Sequence, residues 1–258
     1  MVYVRDTAEI DAIRAAAQIV GRTLRVLAGE VRPGVSTREL DRLAETYIRD
    51  HGAEPAFKGY RGFPATICPS VNDQVVHAIP GDYRLQEGDI ISIDVGVRKD
   101  GYYGDAARTF PVGDISDEAR QLLEVTEAAL LAGIEHARAG NRLGESGQAV
   151  QSRAEEHGFS VVRSLVGHGI GREMHEEPQV PNYGPATRGP RLLAGQVLAI
   201  EPMVNVGGPE VITKPDGWTV VTRDGSLSAH FEHTVAVGPQ GPEILSAIDD
   251  DVVTRGRA

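Results

Sequence analysis

The segment Arg84-Leu85-Gln86-Glu87-Gly88-Asp89-Ile90-Ile91-Ser92-Ile93-Asp94 returns 107 residues later as Arg191-Leu192-Leu193-Ala194-Gly195-Gln196-Val197-Leu198-Ala199-Ile200-Glu201. Arg, Leu, Gly and Ile coincide, and an acid stands on an acid. The stretches ahead of these segments repeat as well. A helix is predicted over residues 6–28, with Asp6 and Glu9 at capping-box spacing and a stripe of Ile10, Ile13, Ala17, Val20, Leu24 and Leu27. After a break at Arg32-Pro33-Gly34, Ser36 and Glu39 cap a second helix, which His51-Gly52 ends. The plan recurs as a helix near 116–137, a break at Arg138-Ala139-Gly140 and a helix closed by His157-Gly158. Both breaks and both stops lie 106 residues apart. Strand, turn and cap agreeing in the same order outweighs coincidence.

A chain built this way must fold as two copies of one unit, each two helices followed by strands. The expectation is an α/β (α+β) fold with pseudo-twofold halves at about 6–112 and 113–240, forming a single domain over 1–258. Its strands would make a curved antiparallel surface with helices behind, and a site would lie on the concave face. The lone cysteine, Cys68, excludes an intrachain disulfide and fits a reducing compartment, the cytoplasm. The N-terminus lacks a signal-peptide pattern and no apolar run approaches membrane-spanning length, so no membrane partner is expected. A net charge of −11 disfavours a nucleic-acid substrate.

Carboxylates stand where strands should be apolar. Asp94 interrupts Ile90, Ile91, Ile93, Val95 and Val97, where a lone charge is costly to bury. Asp100-Gly101 predicts a two-residue hairpin that sets Lys99 opposite Tyr102 and Asp105 opposite Gly96. Asp94 and Asp105 then share one face as diagonal neighbours. For either alone, a solvated polar hairpin is the plainer reading. The second half adds Glu201 at the end of Val197–Ile200 and Glu232 at the start of Phe231–Val237. Four carboxylates in one cavity resist ionisation unless cations lie among them, and a nitrogen donor would complete the shell. Ion pairs to Arg108 or Arg223 are the structural alternative.

Three histidines attract notice. His168 lies in Gly167-His168-Gly169-Ile170-Gly171, read as a glycine-flanked turn open to a ligand. His175 follows in Met174-His175-Glu176, and His77 begins a loop after an apolar strand. His51 and His157 read as helix C-terminal residues, His136 as helix surface, and His233 as facing away from Glu232.

Together, Gly167–Arg172 with His175-Glu176-Glu177-Pro178-Gln179-Val180, Ile200–Asn205, Phe231–Thr234, Val71-Asn72-Asp73…Val76-His77…Ile79-Pro80 and the Asp94/Asp105 hairpin resemble the type I methionine aminopeptidases over nearly the whole chain. The resemblance implies the family's pita-bread fold and two divalent ions: cobalt, manganese, iron or zinc. Asp105 and Glu232 would bridge them, Asp94 would hold one, and His168 with Glu201 the other. It further implies that Glu201 is the general base and that His77 and His175 contact substrate, His175 steadying the oxyanion and His77 meeting the scissile amide. The substrate's α-amine would bind on the Asp94 side. Phe57, Tyr60, Phe63, Cys68 and Trp218 would line a methionine slot, with Met174 standing where relatives often carry an aromatic. The expected role is removal of initiator methionine from nascent polypeptides ahead of a small second residue, by a monomer, with the ribosome as a further partner.

Three alternatives share the fold. Proline-specific aminopeptidases and dipeptidases commonly carry an extra N-terminal domain, for which a first helix near residue 6 leaves no room. A non-catalytic binding module would have lost ligand residues, and all five are present. A type II enzyme would need a long helical insertion, for which 205–231 is too short.

Overall fold

In the computed structural model, which describes residues 2–247, the first two helices start at their expected caps. α1 (Thr7–Ala28) carries the reciprocal Asp6/Glu9 capping box and α2 (Thr37–Asp50) the Ser36/Glu39 box. α3 (Asp117–His136) begins after Ser116, whose hydroxyl accepts from the Ala119 N–H, and α4 (Leu143–Glu155) follows it. Such caps satisfy N–H groups that the first helical turn leaves unpaired. At the other ends, His51 and His157 each turn Nδ1 toward a carbonyl four residues back, Tyr47 at 2.7 Å and Arg153 at 3.0 Å. Their role is structural, as their position before glycine indicates.

The first half continues through β1 (Glu54–Pro55), β2 (Ile67–Val71), β3 (Gln74–Val76), β4 (Ile90–Lys99) and β5 (Tyr102–Pro111). The second supplies β6 (Ser160–Val161), β7 (Gly167–Gly169), β8 (Glu176–Val180), β9 (Val197–Ile200), β10 (Met203–Asn205), β11 (Val211–Thr213), β12 (Val220–Thr222), β13 (Ser228–His230), β14 (His233–Val237) and β15 (Pro242–Ile244). Every strand pairing described is antiparallel. They form four hydrogen-bonded sheets: β1-β4-β2 with β5 on β4, β15-β14-β9-β7-β8, β13-β10-β6 and β11-β12-β3. One apolar cluster fills the space between α1, α2 and the β4 sheet, and a second lies between α3, α4 and the β9 sheet.

The duplication is written into matching hydrogen bonds. Gly34 N–H donates to the Leu85 carbonyl at 2.7 Å, and Gly140 N–H to that of Leu192 at 2.8 Å. Arg84 and Arg191 each donate Nη1 to the carbonyl of that same glycine at 2.6 Å. The Gln86 N–H donates to Asp89 at 2.8 Å, and its counterpart at Leu193 to Gln196 at 2.7 Å. Each half therefore ties its helix break to the start of its acidic strand by the same contacts. The halves meet where Thr234 Oγ1 accepts the Asp105 N–H at 3.0 Å and donates to the Asp105 carbonyl at 2.7 Å. Beside this clamp, the Glu232 N–H donates to the Ala107 carbonyl at 2.9 Å. No helix among the described residues is long and apolar enough to cross a membrane.

Candidate metal centre

The turn between β4 and β5 sets the first two acids. Asp100 (φ 50°) and Gly101 (φ 84°) are both left-handed, as a two-residue hairpin loop of this twist requires. The register follows: Lys99 faces Tyr102, Gly96 faces Asp105, and Asp94 faces Ala107. In the second half Ile200 pairs with His233. One step beyond that pair come Glu201 and Glu232. Glu232 was expected inside a strand, yet β14 begins at His233, because the Glu232 N–H crosses to Ala107 of β5 instead of continuing the ladder to β9.

These elements bring together all five sequence-predicted ligands. His168 Nε2 lies 3.5 Å from Glu201 Oε1 and 3.9 Å from Asp105 Oδ2. Asp105, His168 and Glu232 each offer one donor atom within 4.8 Å of the others. Asp94, Asp105 and Glu232 are 8%, 4% and 2% exposed. Asp94, Glu201 and Glu232 line one cavity with Asp105 and His168.

Burial without positive partners dominates the electrostatics. Among the described residues the ion pairs reaching Asp105 and Glu201 come from histidines, while Arg108 lies 3.4 Å from Glu127. Desolvation raises Asp94 to about 7, against hydrogen bonds involving Asp105 and the Val95 N–H. Asp105, Glu201 and Glu232 lie well above the ordinary carboxylate range, pushed first by burial and then by neighbouring carboxylates, Asp94 foremost for Asp105 and Glu201 and Asp105 for Glu232. One oxygen each of Asp94, Asp105 and Glu232 is buried with no hydrogen-bond partner among the described residues. Orphaned oxygens on converging acids are what a hard or borderline divalent cation would satisfy, and the oxygen-rich set with one imidazole suits such an ion.

His168 is poised as a ligand. Its Nδ1 lies 2.9 Å from the Gly169 carbonyl, which places the proton there and leaves Nε2 a lone pair. Burial pushes it down to about 4, so it stays neutral. It does not sit in a turn, as its glycine flanks had implied, but in β7, inside a five-stranded sheet. The glycines serve strand crowding instead: a Cβ at Gly167 would stand 2.3 Å from the Ala199 carbonyl oxygen, and one at Gly169 2.4 Å from that of Glu177.

The other two histidines border a cavity of about 150 Å³ beside the acids. His77 follows β3 in a left-handed conformation (φ 59°). His175 lies against His168, ring centroids 4.2 Å apart and planes tilted by 43°, with Nδ1 2.9 Å from the Tyr60 hydroxyl. Burial pushes His175 down to about 3, aided by His168, Arg61 and His77. Glu176 holds its loop, accepting from the Arg172 and Glu173 N–H groups at 2.9 and 3.2 Å while paired with Arg5 at 2.5 Å.

All five slot residues line this cavity: Phe57, Tyr60, Phe63, Cys68 and Trp218. Phe63 and Trp218 meet edge to face at 5.2 Å. Cys68 sits directly opposite Asp94 on the paired strand, so the slot's thiol and the buried aspartate share a face. Met174 lies behind the slot. A Cβ at Gly96 would come within 2.5 Å of Phe57 and 2.9 Å of Met174, so this glycine admits both. A larger hollow of about 400 Å³ lies on the helix side of β5, between α1 and α3, and takes in none of the three histidines.

Two residues beside the acids and the slot stand outside the set the sequence predicts. Arg61, in a left-handed turn (φ 48°), borders the slot over the Tyr60 ring. His230, at the end of β13, is buried with Nε2 3.8 Å from Glu201 Oε2. Strand alternation could have found it, since His230 and Glu232 are two apart.

The profile of metallopeptidase family M24 matches residues 11–239. The methionine aminopeptidase of Clostridium perfringens is 56% identical, over 96% of this chain and 100% of its own length. Methionine aminopeptidase 1 of Bacillus subtilis is 51% identical over the same shares. The crystal structure of methionine aminopeptidase from Rickettsia prowazekii superposes with a TM-score of 0.94 at 44% identity, covering 96% of this chain and 100% of that one.

Proposed function

The chain belongs to metallopeptidase family M24, and from that membership we propose that it is a methionine aminopeptidase releasing the first residue of nascent polypeptides. The observation that carries the reading is the convergence of Asp94, Asp105, His168, Glu201 and Glu232 beside a cavity of about 150 Å³ lined by Phe57, Tyr60, Phe63, Cys68 and Trp218. The whole chain acts as one catalytic unit, its halves at about 6–112 and 113–240.

Two divalent ions would be held by Asp94, Asp105, His168, Glu201 and Glu232, with Asp105 and Glu232 contributing to both. Manganese or iron suits the oxygen-rich set, and cobalt and zinc are also compatible. When bound, such ions lower the pKa of a water toward neutrality and polarise a carbonyl. Glu201 takes the attacking water's proton and delivers it to the leaving amine. His175, held by Tyr60 and the Glu176 loop, faces the carbonyl oxygen, and His77 faces the scissile amide. The free α-amine binds on the Asp94 side, which confines cleavage to one residue.

The slot formed by Phe57, Tyr60, Phe63, Cys68 and Trp218 takes the methionine thioether, with sulfur–aromatic contact favouring it modestly. Crowding by His77 and His175 limits the second residue to small side chains. The setting is cytoplasmic, as the single buried Cys68 supports, and the ribosome, which presents such N-termini, is a partner of this monomer. Methionine release from Met-Ala-Ser, Met-Leu-Ser and Pro-first peptides tests the reading. Rapid release from the first alone is expected, whereas equal cleavage of Met-Ala and Met-Leu peptides removes the small-residue rule, and preference for the Pro-first control removes the activity.

A further inference from the structure

Glu201 stands between two imidazoles, one facing each carboxylate oxygen. His168 Nε2 is 3.5 Å from Oε1, and His230 Nε2 is 3.8 Å from Oε2. The two rings differ in what they can offer. His168 keeps its proton on Nδ1 against the Gly169 carbonyl, so its Nε2 faces the acids as a lone pair. His230 Nε2 is buried and has no hydrogen-bond partner among the described residues, an orphan where such atoms are normally satisfied.

The backbone behind His230 is fixed. β13 pairs His230 with Met203, close to Glu201 in sequence. The Thr109 hydroxyl donates to the His230 carbonyl and accepts the His230 N–H, both at 2.9 Å, and Ser92 Oγ lies 2.8 Å from Thr109. Glu201's own backbone is held from the other side, where Asn182 Nδ2 donates to its carbonyl at 3.1 Å. The imidazole and the carboxylate thus approach each other from two anchored strands.

We propose that His230 is a positioning residue for Glu201, its Nε2–H directed at Oε2 so that Oε1 is turned toward the metal side with His168. The inference rests on the role given to Glu201 above. A closure of roughly 0.8 Å would bring the pair to ordinary N–H···O length. A carboxylate oxygen has two lone pairs, so Oε2 retains one for the proton of the attacking water. His230 thereby assigns the two oxygens of one carboxylate to two tasks, ligation and proton transfer.

The test compares His230→Leu, which removes the donor, with His230→Gln, whose amide N–H reaches in a similar direction. Measurements are kcat and KM on Met-Ala-Ser, manganese affinity of the metal-free protein by titration calorimetry, and melting temperature. His230→Leu should lose roughly 10–100-fold in kcat or in manganese affinity, the usual cost of removing a group that orients a ligand. KM should stay within about 2-fold of wild type, and His230→Gln should restore most of the loss. If His230→Leu does not fold, His230→Asn, whose amide is too short to reach Oε2, should show the same loss. Wild-type kcat and manganese affinity in His230→Leu or His230→Asn would overturn the proposal, as would equal defects in His230→Gln and His230→Leu. Glu201→Gln measured in parallel separates the two readings: if it is inactive while His230→Leu is wild type, only the role of His230 fails. If Glu201→Gln keeps full turnover, the role of Glu201 fails first.

Discussion

In the proposed mechanism Glu201 carries the heaviest chemical demand of any residue in the centre, since it would both ligate and move a proton. Glu201→Gln keeps the shape and one ligating oxygen but removes the base, so kcat on Met-Ala-Ser should fall by about 10²–10⁴-fold with manganese still bound. Metal analysis alongside steady-state rates checks this, and wild-type kcat with metal bound would take the role away. At this scale the sequence is readable where local geometry fixes a side chain. Asp94 and Asp105 could be set on one face because Asp100-Gly101 permits a single hairpin register, and the structure keeps it. His230 carries only a weak signal, the alternation that turns His233 away from Glu232 and sets a residue two before Glu232 on its side. His233 does point elsewhere, with Nδ1 2.8 Å from Ser246. Arg61 gave no signal at all, because its position depends on how a short loop folds over Tyr60.

Among the elements, α1 and α2 were legible from caps and stripes and α3 and α4 from the repeat and the His157-Gly158 stop, whereas the strand around His168 was not. A Gly-His-Gly-Ile-Gly run has the composition of a turn, and only the crowding of β8, β7 and β9 explains the glycines otherwise. Gly167→Ala would drive a methyl against the Ala199 carbonyl, a backbone atom that cannot swing aside. The substitution should cost about 1–3 kcal/mol, read from the urea midpoint, and should weaken manganese binding by displacing His168. An unchanged midpoint would mean that β7 and β9 do not approach as closely as described. The start of β14 was misjudged by two residues for a related reason: the sequence shows an apolar run, while a backbone hydrogen bond to the other half decides where the ladder stops.

For the whole molecule, the centre exists only when the halves are docked, because Asp94 and Asp105 come from the first and His168, Glu201 and Glu232 from the second. The repeat made that division visible, since offset strands deliver an acid at the same place in each half. Charge then ties stability to metal. Burial raises the four carboxylates, so their contribution to folding is complete below the ordinary carboxylate range and is lost as pH rises, for Asp94 through about 7. His168, His175 and His230 are pushed down from 6.5 to about 4, 3 and 3, so theirs is complete above 6.5 and is lost as pH falls. Above about pH 6.5 the carboxylates alone still titrate. The metal-free protein should therefore melt at lower temperature at pH 8 than at pH 6.5. Manganese at about a hundred times its dissociation constant should raise the melting temperature by roughly 5–10 °C. The gain should be larger at the higher pH, because the ligands must be ionised to bind. Scanning calorimetry at both values checks the sign, and an equal or smaller gain at pH 8 would mean that these acids do not hold the metal.

Anomalous diffraction from a manganese-loaded crystal speaks to all three scales at once. Density peaks flanked by Asp94, Asp105, His168, Glu201 and Glu232, with carboxylate oxygens and His168 Nε2 at bonding distance, are the expected result. The same five side chains gathered around solvent with no anomalous signal, or a signal seated elsewhere on the molecule, would contradict it.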